Sequence, residues 1–294
     1  RPRRRFSPLK TARADGATMT IALDSYYTIG KLHLYCQDYV IHGWEPFPYV
    51  ILADGCSASP NSDVGARLLA LNARSELSRF AKISRAGGEL PAQHWALGQE
   101  IAQRAARCAR QLDLNPEALD ATLLVAWCDG AAVHVHAYGD GCIATRDADG
   151  QLAVIEVEYA QNAPYYLTYL LQAERHALYE EAIGNVGAAQ TIRYSPEEGS
   201  SSIRRERFDA PVAFSFDLAT YPTVAITTDG LGCFLNAETS QRIAALEIAR
   251  GLFDFGGAQD AFVVKHMQSA LVELSRRLLF NLDDLSVGAF VKVV

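Results

Sequence analysis

The stretch PYVILADGCSASPNSDVGARLLALNA, residues 48–73, changes its hydrophobic period halfway along. Its first half is an apolar run that stops at Asp54-Gly55, as a buried strand does. After the capping-type triplet Asn61-Ser62-Asp63, Val64, Leu68 and Leu71 recur at helical spacing. A strand that ends in a carboxylate and leads into an amphipathic helix predicts a helix laid on a sheet, with an acidic residue left at the sheet's end.

The same grammar recurs outward from this stretch. Leu97, Ile101, Ala105, Cys108 and Leu112 form a second helical stripe, and Val263, Met267, Leu271, Leu274 and Leu278 a third. Between and beyond them lie short β-type runs: YVIHGW (39–44), ATLLVAWCDG (121–130), AVHVHAYGDG (132–141), TVAITTDG (223–230) and LSVGAFVKVV (285–294). Several are bounded by Asp-Gly, a pair that supplies turn-compatible φ angles. Strands at both ends with paired helices between them predict an α+β sandwich, two sheets faced by helices.

A single domain is expected over 20–294, with an inserted flap at about 158–205, where Tyr, Asn, Ser and Glu accumulate. The opening RPRRRFSPLKTARADGATM, residues 1–19, has no hydrophobic period and reads as a flexible tail. With 294 residues and 49% hydrophobic content the chain can bury a large core, so disorder is not the default. The net charge of -7 argues against a nucleic-acid partner. No run approaches the roughly 18 apolar residues that span a bilayer, so no membrane segment is expected. Six cysteines without a Cys-x-x-Cys pair read as free thiols in a reducing, cytoplasmic setting.

The positions of the aspartates carry the chemistry. Asp54, Asp140 and Asp229 each close an apolar strand, Asp38 lies in an early one, and Asp283-Asp284 immediately precedes the last. Carboxylates converging on one cleft repel unless protons or cations neutralise them, and an all-oxygen ligand set suits Mg²⁺ or Mn²⁺. No Cys/His cluster has zinc-ligand spacing.

In order, CQDYV (36–40), ILADGCSASPNSDVGARL (51–68), HAYGDGCI (136–143), AITTDGLGCF (225–234) and NLDDLSVGAFV (281–291) resemble the type 2C, metal-dependent protein phosphatases, most closely a bacterial branch. The likeness spans roughly residues 28–294. It implies a four-layer α-β-β-α sandwich of two antiparallel sheets, and hydrolysis of phosphoserine and phosphothreonine in a phosphorylated protein partner. It also implies that Asp54 bridges two ions, that the Gly55 carbonyl binds one of them, and that Asp38, Asp229 and Asp283 complete the ligands. Asp140 would help Asp229 to hold a weaker third ion. Asp283 rather than Asp284 is the implied ligand, since many relatives carry Asn at the latter position. Two divalent ions sharing a water make hydroxide available near neutral pH, so water attacks phosphorus directly. No Cys-x5-Arg loop offers the thiolate route instead.

Three positions depart from the familiar pattern. Cys56 stands where a His is often proposed to protonate the leaving oxygen, and His33 where an Arg often grips the phosphate. Cys233 stands where an acidic ligand of the third ion is frequent, and a neutral thiol is a poor ligand for Mg²⁺. His33 is therefore read, with Asp54, as a catalytic residue, acting as phosphate binder or general acid. His134 and His136 share a strand face and read as packing. Asn162, Pro164, Tyr165, Tyr166 and Tyr169 form an aromatic patch read mainly as flap packing. A catalytically silent phosphoprotein-binding module and a hydrolase of small phosphate esters are the rival readings. Retention of the whole acidic set favours the enzyme.

Overall fold

The computed structural model describes residues 10–14, 17–84, 90–184, 189–256 and 258–293. Fifteen strands are formed there. In chain order they are β1 (Lys10–Ala14), β2 (Ala17–Thr28), β3 (Asp38–Gly43), β4 (Tyr49–Gly55), β5 (Ala121–Cys128), β6 (Ala132–Tyr138), β7 (Gly141–Arg146) and β8 (Leu152–Tyr159). There follow β9 (Gln190–Pro196), β10 (Ser202–Glu206), β11 (Val212–Asp217), β12 (Thr223–Thr227), β13 (Phe234–Asn236), β14 (Leu279–Asn281) and β15 (Leu285–Val293). The helices are α1 (Ser62–Ser84), α2 (Leu90–Gln111), α3 (Ala173–Tyr179), α4 (Ala245–Leu252) and α5 (Phe262–Arg276).

One antiparallel sheet runs β1-β2-β15-β12-β7-β8-β9-β10 and the other β11-β6-β5-β4-β3. The alternation of β5 explains how they stack. Leu124, Ala126 and Cys128 point into the core between the sheets, whereas Leu123, Val125 and Trp127 meet α1 and α2 on the opposite face. On the larger sheet Leu285, Val287 and Ala289 of β15 meet α4 and α5, while Phe290 turns inward. Helices thus cover both outer faces, which completes the expected four-layer sandwich. At Gly288 the sheets approach so closely that a Cβ would fall on the Val50 side chain.

The predicted start of α1 holds, but its capping differs. Asn61 has φ +57, its carbonyl accepts from Val64 and Gly65, and the Ser62 hydroxyl is engaged by Gln37 Nε2 at 2.6 Å. Leu278 lies just beyond α5, with positive φ.

Two boundaries differ from the sequence reading. Of the expected tail, residues 1–9 lie outside the described residues, whereas 10–14 and 17–19 are strand: β1 folds back on β2 with Lys10 opposite Ile21. The 158–205 flap is also smaller than expected. Residues 160–184 form short helical turns and α3, but β9 and β10 extend the larger sheet. β9 still buries Gln190 and Ile192, whereas Ser202 to Arg205 of the edge strand β10 are all exposed.

Candidate metal centre

The acidic residues meet where the strands end. Asp38 and Asp54 are register partners across β3 and β4. Asp140 sits in the tight β6–β7 connection between Gly139 at φ +91 and Gly141 at φ +143, conformations that favour glycine on both sides. Asp229 opens the helical turn Asp229–Gly232 directly after β12. Asp283 lies in the link between β14 and β15, its Oδ1 accepting from the backbone N–H of Asp284 at 2.8 Å.

His33, Asp54, Gly55, Asp140, Asp229 and Asp283 all line one cleft of about 260 Å³. Asp38 lies behind this wall, only 2% exposed. Its Oδ2 accepts from Thr228 Oγ1 at 2.8 Å, and Thr228 Oγ1 in turn accepts from the backbone N–H of Ser286 at 3.0 Å. The floor of the cleft is therefore held across the joint between the two sheets.

The electrostatics show what the site demands. Burial pushes the Asp38 carboxyl up to about 8, opposed by the side chains of Thr228 and Ser286 and aided by Asp284 and Asp229. Burial likewise raises Asp54 and Asp140 well above the usual carboxylate range, with Asp38 the largest charge acting on Asp54 and Asp229 the largest on Asp140. Asp229 rises to about 6, first from burial and then from Asp283. Asp38 Oδ1 and Asp229 Oδ1 are buried without a hydrogen-bond partner. Among the described residues, none of Asp38, Asp54, Asp140 and Asp229 forms an ion pair with an arginine or lysine. Orphaned carboxylate oxygens facing one another fit hard divalent cations, and nothing in the donor set conflicts with Mg²⁺ or Mn²⁺.

Asp284 has a different task. Almost fully buried, it accepts from the backbone N–H groups of Gly30 at 2.8 Å and Gln37 at 2.6 Å, and so anchors the loop that carries His33. The His33 ring is wedged between the two acids. Its Nε2 is 3.3 Å from Asp283 Oδ1 and its Nδ1 3.1 Å from Asp284 Oδ2. Burial lowers the affinity of His33 for a proton, but Asp284, Asp283 and Asp38 together outweigh it, and the net shift is upward.

A neighbouring hollow of about 420 Å³ shares Asp140, Asp229 and Asp283 and adds Cys233, Glu156 and Arg242. Ligand atoms of Asp229, Cys233 and Asp283 lie within 4.8 Å of one another, and Cys233 Sγ is 3.9 Å from Asp283 Oδ2. Burial, with Asp229 and Asp283 adding to it, pushes the thiol up to about 12. It is neutral at ordinary pH, the form least suited to Mg²⁺.

His134 and His136 stay away from the centre. His134 Nε2 is 2.9 Å from Asp129 Oδ2, and His136 is buried among His94, Trp127 and Tyr138. The aromatic patch divides: Tyr165 packs on Tyr179 and Phe208, while Tyr166 lines the acidic cleft. Sequence reasoning missed Asp120. Its carboxylate takes both Arg175 nitrogens at 2.9 and 2.7 Å, and its backbone carbonyl accepts from Cys56 N–H at 2.8 Å. Nothing in the sequence signals a partner 55 residues away.

Solved structures sharing this architecture include bacterial phosphatases. A bacterial serine phosphatase structure superposes with a TM-score of 0.54 at 11% identity, covering 94% of this chain and 100% of that one. The serine/threonine phosphatase Stp1 from Staphylococcus aureus gives 0.52 at 14% identity, covering 92% and 94%. The Mycobacterium tuberculosis serine/threonine phosphatase PstP/Ppp gives 0.50 at 15%, covering 92% and 98%. At such identities the likeness establishes the shared fold. No curated protein sequence matches the chain significantly. The sequence profile described as Protein phosphatase 2C, however, matches residues 31–273, far more than half of the chain and every acidic position of the cleft except Asp283. The chain thus belongs to the protein phosphatase 2C family.

Proposed function

We propose that this chain is a metal-dependent phosphatase that hydrolyses phosphoserine and phosphothreonine in proteins. The observation that carries the reading is the cleft of buried carboxylates that, among the described residues, form no ion pair with an arginine or lysine. Asp54, Asp38, Asp229, Asp283 and the Gly55 carbonyl would hold two cations, and Asp140 with Asp229 would border a weaker third position. Mg²⁺ or Mn²⁺ held there would supply hydroxide near neutral pH and offset the charge of the phosphoryl group.

The protein's own residues do the rest. Thr228 and Ser286 hold Asp38 through hydrogen bonds, so it need not reorganise when a cation enters. His33, kept close to Asp283 and with raised proton affinity, is the general acid for an alkoxide leaving group. Cys56, at the position where relatives often offer an acid, lines the same cleft and is not assigned that task.

Six free cysteines favour a reducing compartment, and we place the protein's action in the cytoplasm. Among the described residues no helix is long and apolar enough to cross a membrane. Phosphate release from a phosphothreonine peptide with Mn²⁺, Mg²⁺ or excess EDTA tests the reading. Full activity of metal-stripped protein in chelator would overturn the two-ion assignment. A preference for small metabolite phosphates over phosphopeptides would overturn the substrate class.

A further inference from the structure

Facing the acidic floor, the flap contributes Tyr166, the phenol of the cleft's lining. Tyr166 has extended backbone, φ -77 and ψ 148, immediately before the helical turn Leu167–Leu171, so it departs from the apolar packing of its neighbours Tyr165 and Leu167. Its hydroxyl lies beside Cys56 and within the field of Asp140 and Asp54. Burial and then those neighbours push its ionisation upward, so the hydroxyl keeps its proton and remains a donor.

The flap is clasped to the loop that follows Asp54. Buried Asp120 accepts from Arg175 Nη1 and Nη2 and from Thr168 Oγ1 at 2.9 Å, all on the flap. On the other side it accepts from Ser59 Oγ at 3.2 Å, while its backbone carbonyl holds Cys56 N–H. The Arg175 guanidinium also lies 4.6 Å from the Tyr169 ring centre, and that ring meets Tyr166 at 5.6 Å and 67°. One carboxylate therefore fixes both the acidic loop and the aromatic wall opposite it.

A phosphate dianion drawn to cations among these carboxylates would share the cleft with Tyr166. His33, held against Asp283 and Asp284 and assigned above to the leaving oxygen, is not the group that meets the phosphoryl oxygens. We propose that Tyr166 binds a phosphoryl oxygen of the substrate through its hydroxyl, and that Arg175 is a positioning residue acting through Tyr169 and the Asp120 clasp. This rests on the phosphatase reading above and extends it to a phosphate binder in place of the one missing at His33 on the β2–β3 loop.

The test is calorimetric titration of inorganic phosphate into Mn²⁺-loaded protein. Tyr166→Phe keeps the ring and should raise the Kd for phosphate about tenfold, the loss of one hydrogen bond to a charged group, with Mn²⁺ affinity unchanged within about twofold. Arg175→Gln should weaken phosphate binding in the wild-type background but add less than about twofold on top of Tyr166→Phe, because it acts through the same hydroxyl. Phosphate affinity unchanged in Tyr166→Phe would overturn the assignment, as would a full Arg175→Gln effect without the hydroxyl. So would a Mn²⁺-loaded wild type that binds no phosphate. Absence of peptide turnover in a wild type that does bind phosphate would sink the phosphatase reading alone, leaving the Tyr166 comparison to be decided by the titration.

Discussion

Replacing Asp38 by Asn should stabilise the metal-free protein and abolish most of its response to metal. In the folded, metal-free chain Asp38 holds a proton up to about pH 8, whereas its ordinary value is 3.8. Folding at pH 7 then requires protonating a carboxyl that the unfolded chain has ionised, and the gap, 7 minus 3.8, sets a ceiling of about 4 kcal/mol. Mutual titration with Asp54 and Asp229 and water in the cleft reduce this, so a gain of about 1–3 kcal/mol is expected. An amide oxygen can still accept from Thr228 Oγ1, so little else changes. The sign fixes the pH dependence. Between about 4 and 8 the folded state binds the extra proton, so stability of the metal-free wild type falls as pH rises, and the variant lacks that contribution. Adding Mn²⁺ at about 100 times its Kd should return about 2.7 kcal/mol to the wild type and far less to the variant. Urea denaturation in EDTA and in Mn²⁺ measures each quantity. A metal-free variant less stable than wild type by over about 1 kcal/mol, or equal Mn²⁺ stabilisation of both proteins, would refute the reasoning.

Asp54→Asn should lower phosphopeptide turnover by more than about tenfold, or 1.4 kcal/mol, with near-native circular dichroism; retention of a larger rate would remove Asp54 from the bridging position. His33→Ala should slow hydrolysis of a phosphothreonine peptide about 10²-fold and spare p-nitrophenyl phosphate, whose leaving group departs without a proton. An equal rise in KM for both substrates would make His33 a binder instead. His94, buried and driven down to about 4 despite its bond to the Ala137 carbonyl, takes up a proton only in the unfolded chain between 6.5 and that value. Its contribution to stability is therefore lost as pH falls through this window, and the difference in urea stability between wild type and His94→Gln should shift by about 2 kcal/mol between pH 7.5 and 5; a constant difference would count against it. Gly288→Val should cost about 1–3 kcal/mol by forcing the sheets apart at Val50, read as a lower urea midpoint at unchanged slope.

The sequence made the cleft's acids legible because each stands where a hydrophobic period breaks. Asp54 and Asp229 interrupt apolar runs at Asp-Gly, and β12, β15, α2 and α5 carry the periods expected of buried faces up to Leu112 and Leu278, which are exposed, whereas α1 buries Ala66, Leu69, Ala70, Ala73 and Leu77 rather than the expected Val64, Leu68 and Leu71. What escaped was structure whose residues look like solvated chain. β1 reads as a tail because its sequence KTARA has no apolar period, and β10 reads as flap because an uncovered edge strand need not be apolar. The Asp120 clasp escaped for another reason: Ser59, Asp120, Thr168 and Arg175 have no common spacing, and only the folded chain brings them together. Tyr165 and Tyr166 are adjacent and chemically identical, yet one is core and the other cleft, a distinction set by backbone direction alone.

The place of β15 in the larger sheet bears on how the protein is made. It lies between β2 and β12, inside the order of strands, yet it follows every other strand among the described residues. While residues 283–293 are still within the ribosome, the nascent chain has an unfilled slot in the middle of that sheet, and neither Asp283 nor the Asp284 anchor for the His33 loop has been delivered. Insertion of one strand then zips both neighbours and completes the acidic cleft together. Synthesis therefore withholds the assembled centre until that late step, and a chain interrupted before it leaves two bare strand edges open to chaperones or to aggregation.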